Sequence, residues 1–339
     1  MTSDAKTLIL EYERHIINQR LECLKRRSIE SEKVFAHEVA KGLTALPKYL
    51  YPKFFYDDAG SELFEQICDL DEYYIARTES KLLHMHTDDL ATHLGDVMRL
   101  VELGSGASIK TQMILDAMDA SRRYIEYMPV DISEVIGENC LPLLDTYENM
   151  TVKGIVDTYE GGLELIKNIK HVPTLFAFLG SSLGNMNPSE ALAFLQKVRS
   201  CMHKGDMFLV GLDLVKDARI LHAAYDDTIG VTARFNKNIL ERINQELGAD
   251  FDLKQFEHHV VYDKKNMCIN MYLKSIQKQV VSIPKSNICP VFEKGELVHT
   301  ENSFKYTSNA IKHMLSQAGM RVENMWHDKD DLFSLTLAT

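Results

Sequence analysis

A glycine-rich turn stands between a predicted strand and a predicted helix in the first third of the chain. Residues 97–103 are apolar enough to form a buried parallel strand, and Gly104, Ser105 and Gly106 follow them before a helical pattern begins. Glycine lets the backbone approach a ligand closely, and a helix amino end at this place faces the crevice where doubly wound sheets bind ligands. The turn therefore predicts a nucleotide-type ligand.

The residue types around this turn narrow the choice of ligand. A dinucleotide fingerprint has a third glycine where this chain has Ile109. The predicted strand also contains Glu102, whose carboxylate would repel the charges of a pyrophosphate. A cationic or neutral nucleoside suits the turn better. S-adenosylmethionine is the obvious candidate, because its sulfonium carries a transferable methyl group.

Two further strand patterns also end in acidic residues. The predicted strand 124–130 ends at Asp131, whose carboxylate can accept hydrogen bonds from both ribose hydroxyls. The predicted strand 152–156 ends at Asp157 and Thr158, which can hold the edge of an adenine ring. Three acidic strand ends in succession favour the methyl donor. A generic Rossmann-like domain with solvated acids at its strand ends stays open as the alternative.

Composition excludes several classes of partner. The chain has 339 residues, enough for one large or two ordinary domains, and its 38 Lys and Arg against 49 Asp and Glu give a net charge of −11. Nucleic acids and anionic membranes need a cationic surface. There is no signal-peptide pattern, and no apolar run approaches the roughly 20 residues of a membrane span. We expect a soluble, cytoplasmic monomer that acts on a small molecule, without nucleic-acid or membrane partners.

The cysteines and histidines give no metal-site pattern. Six cysteines are scattered without CxxC spacing, which argues against a zinc ribbon or a disulfide framework and predicts reduced thiols. The local histidine pairs, His84 with His86 and His258 with His259, have no partner residues at zinc-ligand spacing. We therefore expect no metal.

The order of strand and helix patterns predicts an α/β fold. Strand and helix alternate through residues 80–215, the pattern departs from this alternation in 216–305, and a final strand pair around Asp328 is a hairpin signal. We predict a Rossmann-like class I methyltransferase fold with a second, substrate-binding lobe formed by the amino-terminal region and an insertion. The predicted division is 1–77 with 215–305 for the substrate lobe, and 78–214 with 306–339 for the S-adenosylmethionine domain. Residues 5–45 have the apolar spacing of one or two amphipathic helices.

Several short motifs occur together between about Pro47 and the carboxyl terminus. They are residues 52–57, 72–74, 100–111, 178–185, 213–217, 224–227, 230–233, 235–238, 249–252 and 301–305. With these motifs the chain resembles the S-adenosylmethionine-dependent histidine N-alpha-methyltransferases of the ergothioneine pathway. The resemblance implies three methyl transfers to the alpha-amino group of L-histidine, which give its betaine, hercynine.

The resemblance also implies roles for individual residues. The positions that match S-adenosylmethionine contacts are Gly104, Ser105, Gly106, Lys110, Asp131, Asp157 and Thr158. The positions that match the substrate site are Tyr73, Asn185, Tyr225, Phe235, Met271, Glu301 and Ser303. Of the residues expected nearest to the reaction, Tyr56 falls near the reacting amine, and Asn185 and Tyr225 hold the amino-acid end of the substrate.

These implied roles agree with the chemistry of the side chains. Asn185 and Tyr225 can donate hydrogen bonds to the substrate carboxylate, while Glu301 accepts from one imidazole N–H and Ser303 serves the other nitrogen. The methylated amine becomes a fixed cation, which the face of an aromatic ring such as Tyr56 stabilises. Without the resemblance, Tyr56, Tyr73 and Phe235 would be interpreted as core residues. Glu301 would be interpreted as a solvated strand residue.

Three other functions stay open at this point. An enzyme of the same fold that N-methylates a tryptophan derivative is the nearest, although Glu301 and Ser303 argue against an indole, which has one N–H and no acceptor nitrogen. A nucleotide-binding regulator without catalysis is the second. A nicotinamide-dependent dehydrogenase is the third, and the missing third glycine weakens it.

Overall fold

A nine-stranded sheet forms the centre of the computed structural model, in which residues 11–27, 32–105, 109–119, 124–133 and 136–339 are described. The strands are β1 (Tyr12–Ile16), β2 (Leu21–Arg26), β3 (Arg99–Leu103), β4 (Ile125–Asp131), β5 (Met150–Val156), β6 (Thr174–Phe178), β7 (Met207–Asp213), β8 (Phe256–Asp263), β9 (Cys268–Ser275), β10 (Gln279–Val280), β11 (Val291–Phe292), β12 (Leu297–Phe304), β13 (Val322–His327) and β14 (Phe333–Ala338). The α-helices are α1 (Glu32–Thr44), α2 (Asp58–Cys68), α3 (Tyr74–Leu94), α4 (Ile109–Asp119), α5 (Ile136–Asn139), α6 (Leu141–Thr146), α7 (Tyr159–Asn168), α8 (Pro188–Cys201), α9 (Ala218–Tyr225), α10 (Val231–Leu247) and α11 (Ser308–Gln317).

The order of the strands identifies the fold. The large sheet runs β1-β2-β5-β4-β3-β6-β7-β14-β13, with β2 through β7 parallel and β14 antiparallel to β7. Every residue of β3, β6 and β14 is buried, as expected for apolar strands covered by helices on both faces. The seven strands from β5 to β13 have the order of the Rossmann-like class I methyltransferase fold, so the predicted fold class is confirmed.

The strand order reverses at β3. Its neighbours are β4 on one side and β6 on the other, so the chain leaves β3 and β6 toward opposite halves of the sheet. In open α/β sheets this reversal opens a crevice outside the carboxyl ends of the strands, and ligands bind there. Gly104 follows β3 and Gly180 follows β6 at this crevice, both with positive φ angles, of 74° each.

A second, three-stranded antiparallel sheet, β12-β9-β8, is built by the insertion. The amino-terminal region packs against it, because Leu50 N–H donates to the carbonyl of His299 in β12 at 2.8 Å and His299 N–H donates to that of Lys48 at 3.0 Å. Helix α10 continues the contact, with the rings of Phe55 and Phe235 4.6 Å apart. The segment around residues 48–55 therefore packs against the insertion. No helix within the described ranges is long and apolar enough to cross a membrane.

The first part of the chain differs from the prediction. Residues 12–26 form the β1–β2 hairpin, and β2 pairs in parallel with β5, so this segment extends the large sheet and is not part of the substrate lobe. The helical spacing of Tyr12, Ile16 and Ile17 was misleading, because Ile16 and Ile17 are exposed beside the hairpin turn. Within the described part of the predicted helical region 5–45, the helix is α1 (Glu32–Thr44). Helix α2 is capped by Asp57, whose carboxylate accepts from Gly60 N–H at 2.8 Å.

We predict that the hairpin is held to the sheet by Tyr12. Its hydroxyl donates to Oδ2 of Asp157, a carboxylate that is 1% exposed. Tyr12→Phe removes this donor and should lower the free energy of unfolding by about 1.5–3 kcal/mol, the range for a hydrogen bond to a charged group.

Tyr124→Phe is the matched control, because the Tyr124 hydroxyl bonds Thr151 at the exposed surface. It should change stability by less than about 0.5 kcal/mol. Urea unfolding of both variants measures the difference. Equal stability of the two variants would contradict the prediction.

Candidate active site

The turn after β3 has a shape that only glycine allows. Gly104 has a φ of 74°, and a Cβ atom there would lie 2.8 Å from the hydroxyl oxygen of Tyr159. The next residue, Ser105, is buried, and its Oγ has no hydrogen-bond partner among the described residues. The glycine leaves room at this turn, and the buried Ser105 hydroxyl has no partner among the described residues. The turn therefore suits a polar ligand such as the amino-acid end of S-adenosylmethionine. Gly106, which the sequence also assigns to this turn, lies outside the described residues.

Glu102 of β3 is enclosed by hydroxyl groups. Its Oε2 accepts from Thr111 Oγ1 at 2.8 Å and from the Tyr127 hydroxyl at 2.6 Å. Burial raises the pKa of this carboxyl, although the two hydrogen bonds oppose the shift. The carboxylate therefore fastens the first turn of α4 to β3 and β4, a role that its sequence position does not reveal.

Sequence reasoning missed Glu79, which joins the two sides of the crevice. This residue of α3 is fully buried, and its carboxylate accepts from Lys110 Nζ at 2.8 Å and from Gly180 N–H at 2.9 Å. A Cβ atom at Gly211 would lie 1.8 Å from its Oε1, so glycine in β7 makes the space for it. Burial alone would lower the pKa of Lys110, but the Glu79 carboxylate raises it overall.

The acids after β4 and β5 have different surroundings. Asp131 is half-buried and accepts from Ser133 N–H at 2.9 Å, and burial raises its pKa. Asp157 is enclosed, with bonds from the Tyr12 hydroxyl, from Arg26 at 3.5 Å and from Thr158 N–H at 2.7 Å. Asp131 is therefore the more open of the two carboxylates.

A β-bulge decides which side chains of β12 face inward. The register with β9 shifts between His299 and Glu301, which leaves Thr300 as the extra residue. After the shift Glu301 pairs with Met271, and residues directly opposite each other lie on the same face of a sheet. Glu301 and Ser303, two residues apart, share that face. The structure thus brings together three residues that the sequence assigns to the substrate pocket.

Glu301 is an enclosed carboxylate that makes no hydrogen bond to any described residue. It is 9% exposed, and burial raises its pKa to about 7, while the positive charge of Lys305 acts in the opposite direction. An enclosed carboxylate normally has hydrogen-bond donors around it. Glu301 is therefore suited to accept an N–H group from a ligand.

Tyr225 and Ser303 belong to one buried hydrogen-bond network. The Tyr225 hydroxyl lies 2.6 Å from Ser303 Oγ. Lys305 donates to both oxygens, at 2.8 Å and 2.7 Å, and forms an ion pair with Asp213 at 2.7 Å. Two sequence motifs contain Lys305 and Asp213, but neither residue's role was expected, because a lysine after a strand usually lies in solvent.

Four aromatic residues that the sequence assigns to the site pack against one another in pairs. The ring of Tyr56 lies 5.8 Å from that of Phe235, and the ring of Tyr73 lies 6.2 Å from that of Tyr225. Burial raises the pKa of the Tyr56 phenol well above its ordinary value, and the charges of Glu301 and, more weakly, Asp131 raise it further. The phenol of Tyr56 therefore stays neutral near pH 7.

Asn185 ends a short 3-10 helix, Ser182–Asn185, that follows β6. This turn packs closely on β12, because a Cβ atom at Gly184 would lie 2.8 Å from the carbonyl oxygen of Phe304. The turn is also tied to β7, where Asp213 N–H donates to Ser181 Oγ at 3.0 Å. The half-buried Asn185 thus lies at the junction of the large sheet with the second lobe.

Sequence comparisons relate the chain to known proteins. The sequence model of a family described as histidine-specific, SAM-dependent methyltransferases matches residues 35–339. A histidine N-alpha-methyltransferase of Mycolicibacterium smegmatis is 38% identical over 303 residues, which are 89% of this chain and 93% of that protein. Ergothioneine biosynthesis protein 1 of Neurospora crassa is 27% identical over 285 residues, 83% of this chain and 32% of that protein.

Solved structures are similar only in a general way. An S-adenosylmethionine-dependent methyltransferase from Clostridium acetobutylicum aligns with a TM-score of 0.41 and 10% identity, over 76% of this chain and 91% of that chain. The fold assignment therefore depends on the strand order described above.

We predict that Glu301 makes stability depend on pH. Its pKa is raised from 4.5 to about 7, so the folded state favours the protonated form. The associated stability is fully present below pH 4.5 and is lost as the pH rises through 7. Glu301→Gln removes this loss, and between pH 4.5 and pH 8 its free energy of unfolding should gain about 3 kcal/mol relative to the native chain.

The matched control is Glu257→Gln, at an exposed position of β8. This variant should keep the pH dependence of the native chain. Urea unfolding in the absence of ligand at several pH values measures both variants. A Glu301→Gln variant with the native pH profile would show that the carboxyl is not buried as described.

Proposed function

The chain belongs to the family of S-adenosylmethionine-dependent, histidine-specific methyltransferases, and from that premise we propose that it trimethylates the alpha-amino group of L-histidine. The product would be hercynine, and the reaction would be the first step of ergothioneine biosynthesis. The observation that carries the proposal is the enclosed Glu301 carboxylate, which has no donor among the described residues and lies beside Ser303 on one face of β12.

The crevice after β3 would hold the methyl donor, which supplies a methyl group on a sulfonium when bound. Asp131 would accept the ribose hydroxyls, because it is the open carboxylate at the end of β4. Gly104, Ser105 and Lys110 would line the amino-acid end, where no described residue bonds the Ser105 hydroxyl. Thr158 would contact the adenine edge. Asp157, which Tyr12 and Arg26 already bond, would shape this edge from behind.

The second lobe would select histidine through paired polar groups. Glu301 would accept an N–H of the imidazole, and Ser303 would bond the other ring nitrogen. A side chain without these groups would leave a buried carboxylate without a donor, which costs about 1–3 kcal/mol or more for a charged group. Met271, opposite Glu301, and Phe235 would form the apolar walls.

The remaining residues would position the amine for attack. Asn185 and Tyr225 would bond the carboxylate of the substrate and so fix its amino group, which must be neutral to act as a nucleophile. Positioning of this kind supplies up to roughly 7–11 kcal/mol of the acceleration. The neutral rings of Tyr56 and Tyr73 would face the amine, and their π-electrons would stabilise the quaternary ammonium that forms.

Incubation with S-adenosylmethionine and each of the twenty amino acids, followed by mass spectrometry, tests the proposal. We expect three added methyl groups on histidine alone. A prenylated tryptophan is included as a further substrate, since an enzyme of the same fold that acts on a tryptophan derivative is the alternative. Methylation of that compound, or of another amino acid in place of histidine, would overturn the proposal.

We predict that Glu301→Ala weakens histidine binding selectively. Loss of a hydrogen bond to a charged group, at about 2–3 kcal/mol, corresponds to a KM for histidine that is roughly 30–150-fold higher. The dissociation constant of S-adenosylmethionine, measured by calorimetry, should stay within about twofold. Asn302→Ala, a neighbour on the other face of β12, is the control and should leave both values unchanged. An equal loss of both ligands would remove Glu301 from the histidine site.

We predict that Asp131→Ala has the complementary effect. It removes the acceptor of two ribose hydroxyls and should weaken S-adenosylmethionine binding by roughly 10–100-fold, about 1.5–3 kcal/mol. Asp145→Ala, at an exposed position of α6, is the control. An unchanged dissociation constant in the Asp131 variant would show that this carboxylate does not contact the donor.

A further inference from the structure

Lys305 is an enclosed ammonium group whose three N–H bonds are all in use. Its Nζ donates to Asp213 at 2.7 Å, to the Tyr225 hydroxyl at 2.8 Å and to Ser303 Oγ at 2.7 Å. The side chains of both Lys305 and Asp213 are fully buried. Burial acts to lower the pKa of Lys305, but Asp213 raises it overall, so the ammonium keeps its three protons. No N–H of Lys305 is left for a substrate.

One of the two hydroxyl protons of Tyr225 and Ser303 is used in the hydrogen bond between them. Tyr225 and Ser303 have two hydroxyl protons between them, and their oxygens are 2.6 Å apart. Two oxygens at that distance need a proton between them, so one hydroxyl donates to the other. Each oxygen also accepts from Lys305. Only one hydroxyl proton therefore remains for a ligand, on Tyr225 or on Ser303 but not on both.

This count determines what each hydroxyl offers to the substrate. A carboxylate can only accept, so a substrate carboxylate at Tyr225 takes the remaining proton. Ser303 must then donate to Tyr225, and toward the substrate it keeps only a lone pair. The ring nitrogen that faces Ser303 must therefore present an N–H. The ring nitrogen that faces Glu301 must present a second one whenever that carboxyl is ionised.

We propose that Lys305 is a specificity-determining positioning residue, which clamps Tyr225 to Ser303 so that the site selects a side chain with two ring N–H donors. This inference rests on the proposed function and refines it. An imidazole has two N–H groups when it carries one extra proton, so the bound ring and Glu301 would share a proton as an imidazolium–carboxylate pair. Histidine, with an ordinary side-chain pKa near 6.5, gains that proton easily.

A triazole analogue separates this inference from a merely structural role for Lys305. The ring of 1,2,4-triazol-3-yl-L-alanine has the size of an imidazole but stays neutral near pH 7, so it has one N–H and cannot present two. We expect the native enzyme to favour histidine over this analogue by at least tenfold in kcat/KM. Equal use of the two substrates by the native enzyme would overturn the inference.

The decisive variant is Lys305→Met, which keeps a long unbranched side chain and removes the three donors. Asp213 keeps its hydrogen bonds from Lys216 and from Tyr74, the latter at 2.9 Å, so its carboxylate is not left without donors. Freed from the clamp, Ser303 can donate to an unprotonated ring nitrogen. We expect a higher KM for histidine, an S-adenosylmethionine dissociation constant within about twofold of the native value, and a histidine-to-triazole preference at least fivefold lower. A preference that stays at its native value would mean that Lys305 acts only in folding.

Ser303→Ala keeps the question answerable if Lys305→Met does not fold, which circular dichroism would reveal. This change removes the lone pair that faces the ring, so it should also lower the preference for histidine over the triazole. An unchanged preference would overturn the inference. Failure of the proposed function is distinguishable, because the native enzyme would then not methylate histidine, whereas failure of this inference leaves histidine turnover intact.

Discussion

An enclosed ion pair between Asp213 and Lys305 joins the two parts of the molecule. Asp213 ends β7 of the large sheet and Lys305 directly follows β12 of the second lobe, and both side chains are fully buried. A buried ion pair persists only where further hydrogen bonds satisfy both partners, and removing one partner alone typically costs about 3–5 kcal/mol. Tyr74 and Lys216 bond the carboxylate, while Tyr225 and Ser303 bond the ammonium. The distance between the donor crevice and the proposed histidine site therefore depends on this pair.

The bulge at Thr300 determines which polar side chains of β12 face the proposed histidine site. In a regular strand, side chains alternate between the two faces of the sheet. Val298, Thr300 and Asn302 would then share the inner face, and Glu301 and Ser303 would lie on the other face. The extra residue moves Glu301 and Ser303 to the inner face, opposite Met271 and Ile269. Bulges commonly re-aim side chains beside active sites. Two polar residues thus lie on a face of the sheet where their partners in β9 are apolar.

The sequence predicts the parts of the fold that depend on local pattern. The buried strands β3, β4 and β5 are apolar runs whose carboxyl ends are marked by Gly104, Asp131 and Asp157, and these signals are local. The hairpin 12–26 was predicted wrongly, since its pairing with β5 is long-range and its exposed isoleucines have helical spacing. Glu79 could not be predicted at all, because an acid in an amphipathic helix is normally solvated, and only the packing of α3 against the crevice encloses it. The assignments of Glu301 and Ser303 needed the family resemblance, because no periodicity reveals a bulge.

The enclosed carboxylates show which acid is left for a ligand. Glu79, Glu102, Asp157 and Asp213 each accept hydrogen bonds from side chains or backbone of the described chain, so their charges are already compensated. Glu301 is comparably enclosed but has no such donor among the described residues, and burial raises its pKa to about 7. An enclosed charge without a partner destabilises the ligand-free protein, and a substrate that brings an N–H group removes the cost. A substrate without an N–H group leaves this cost in place and therefore binds more weakly. The unpaired carboxylate of the ligand-free site thus makes the site selective.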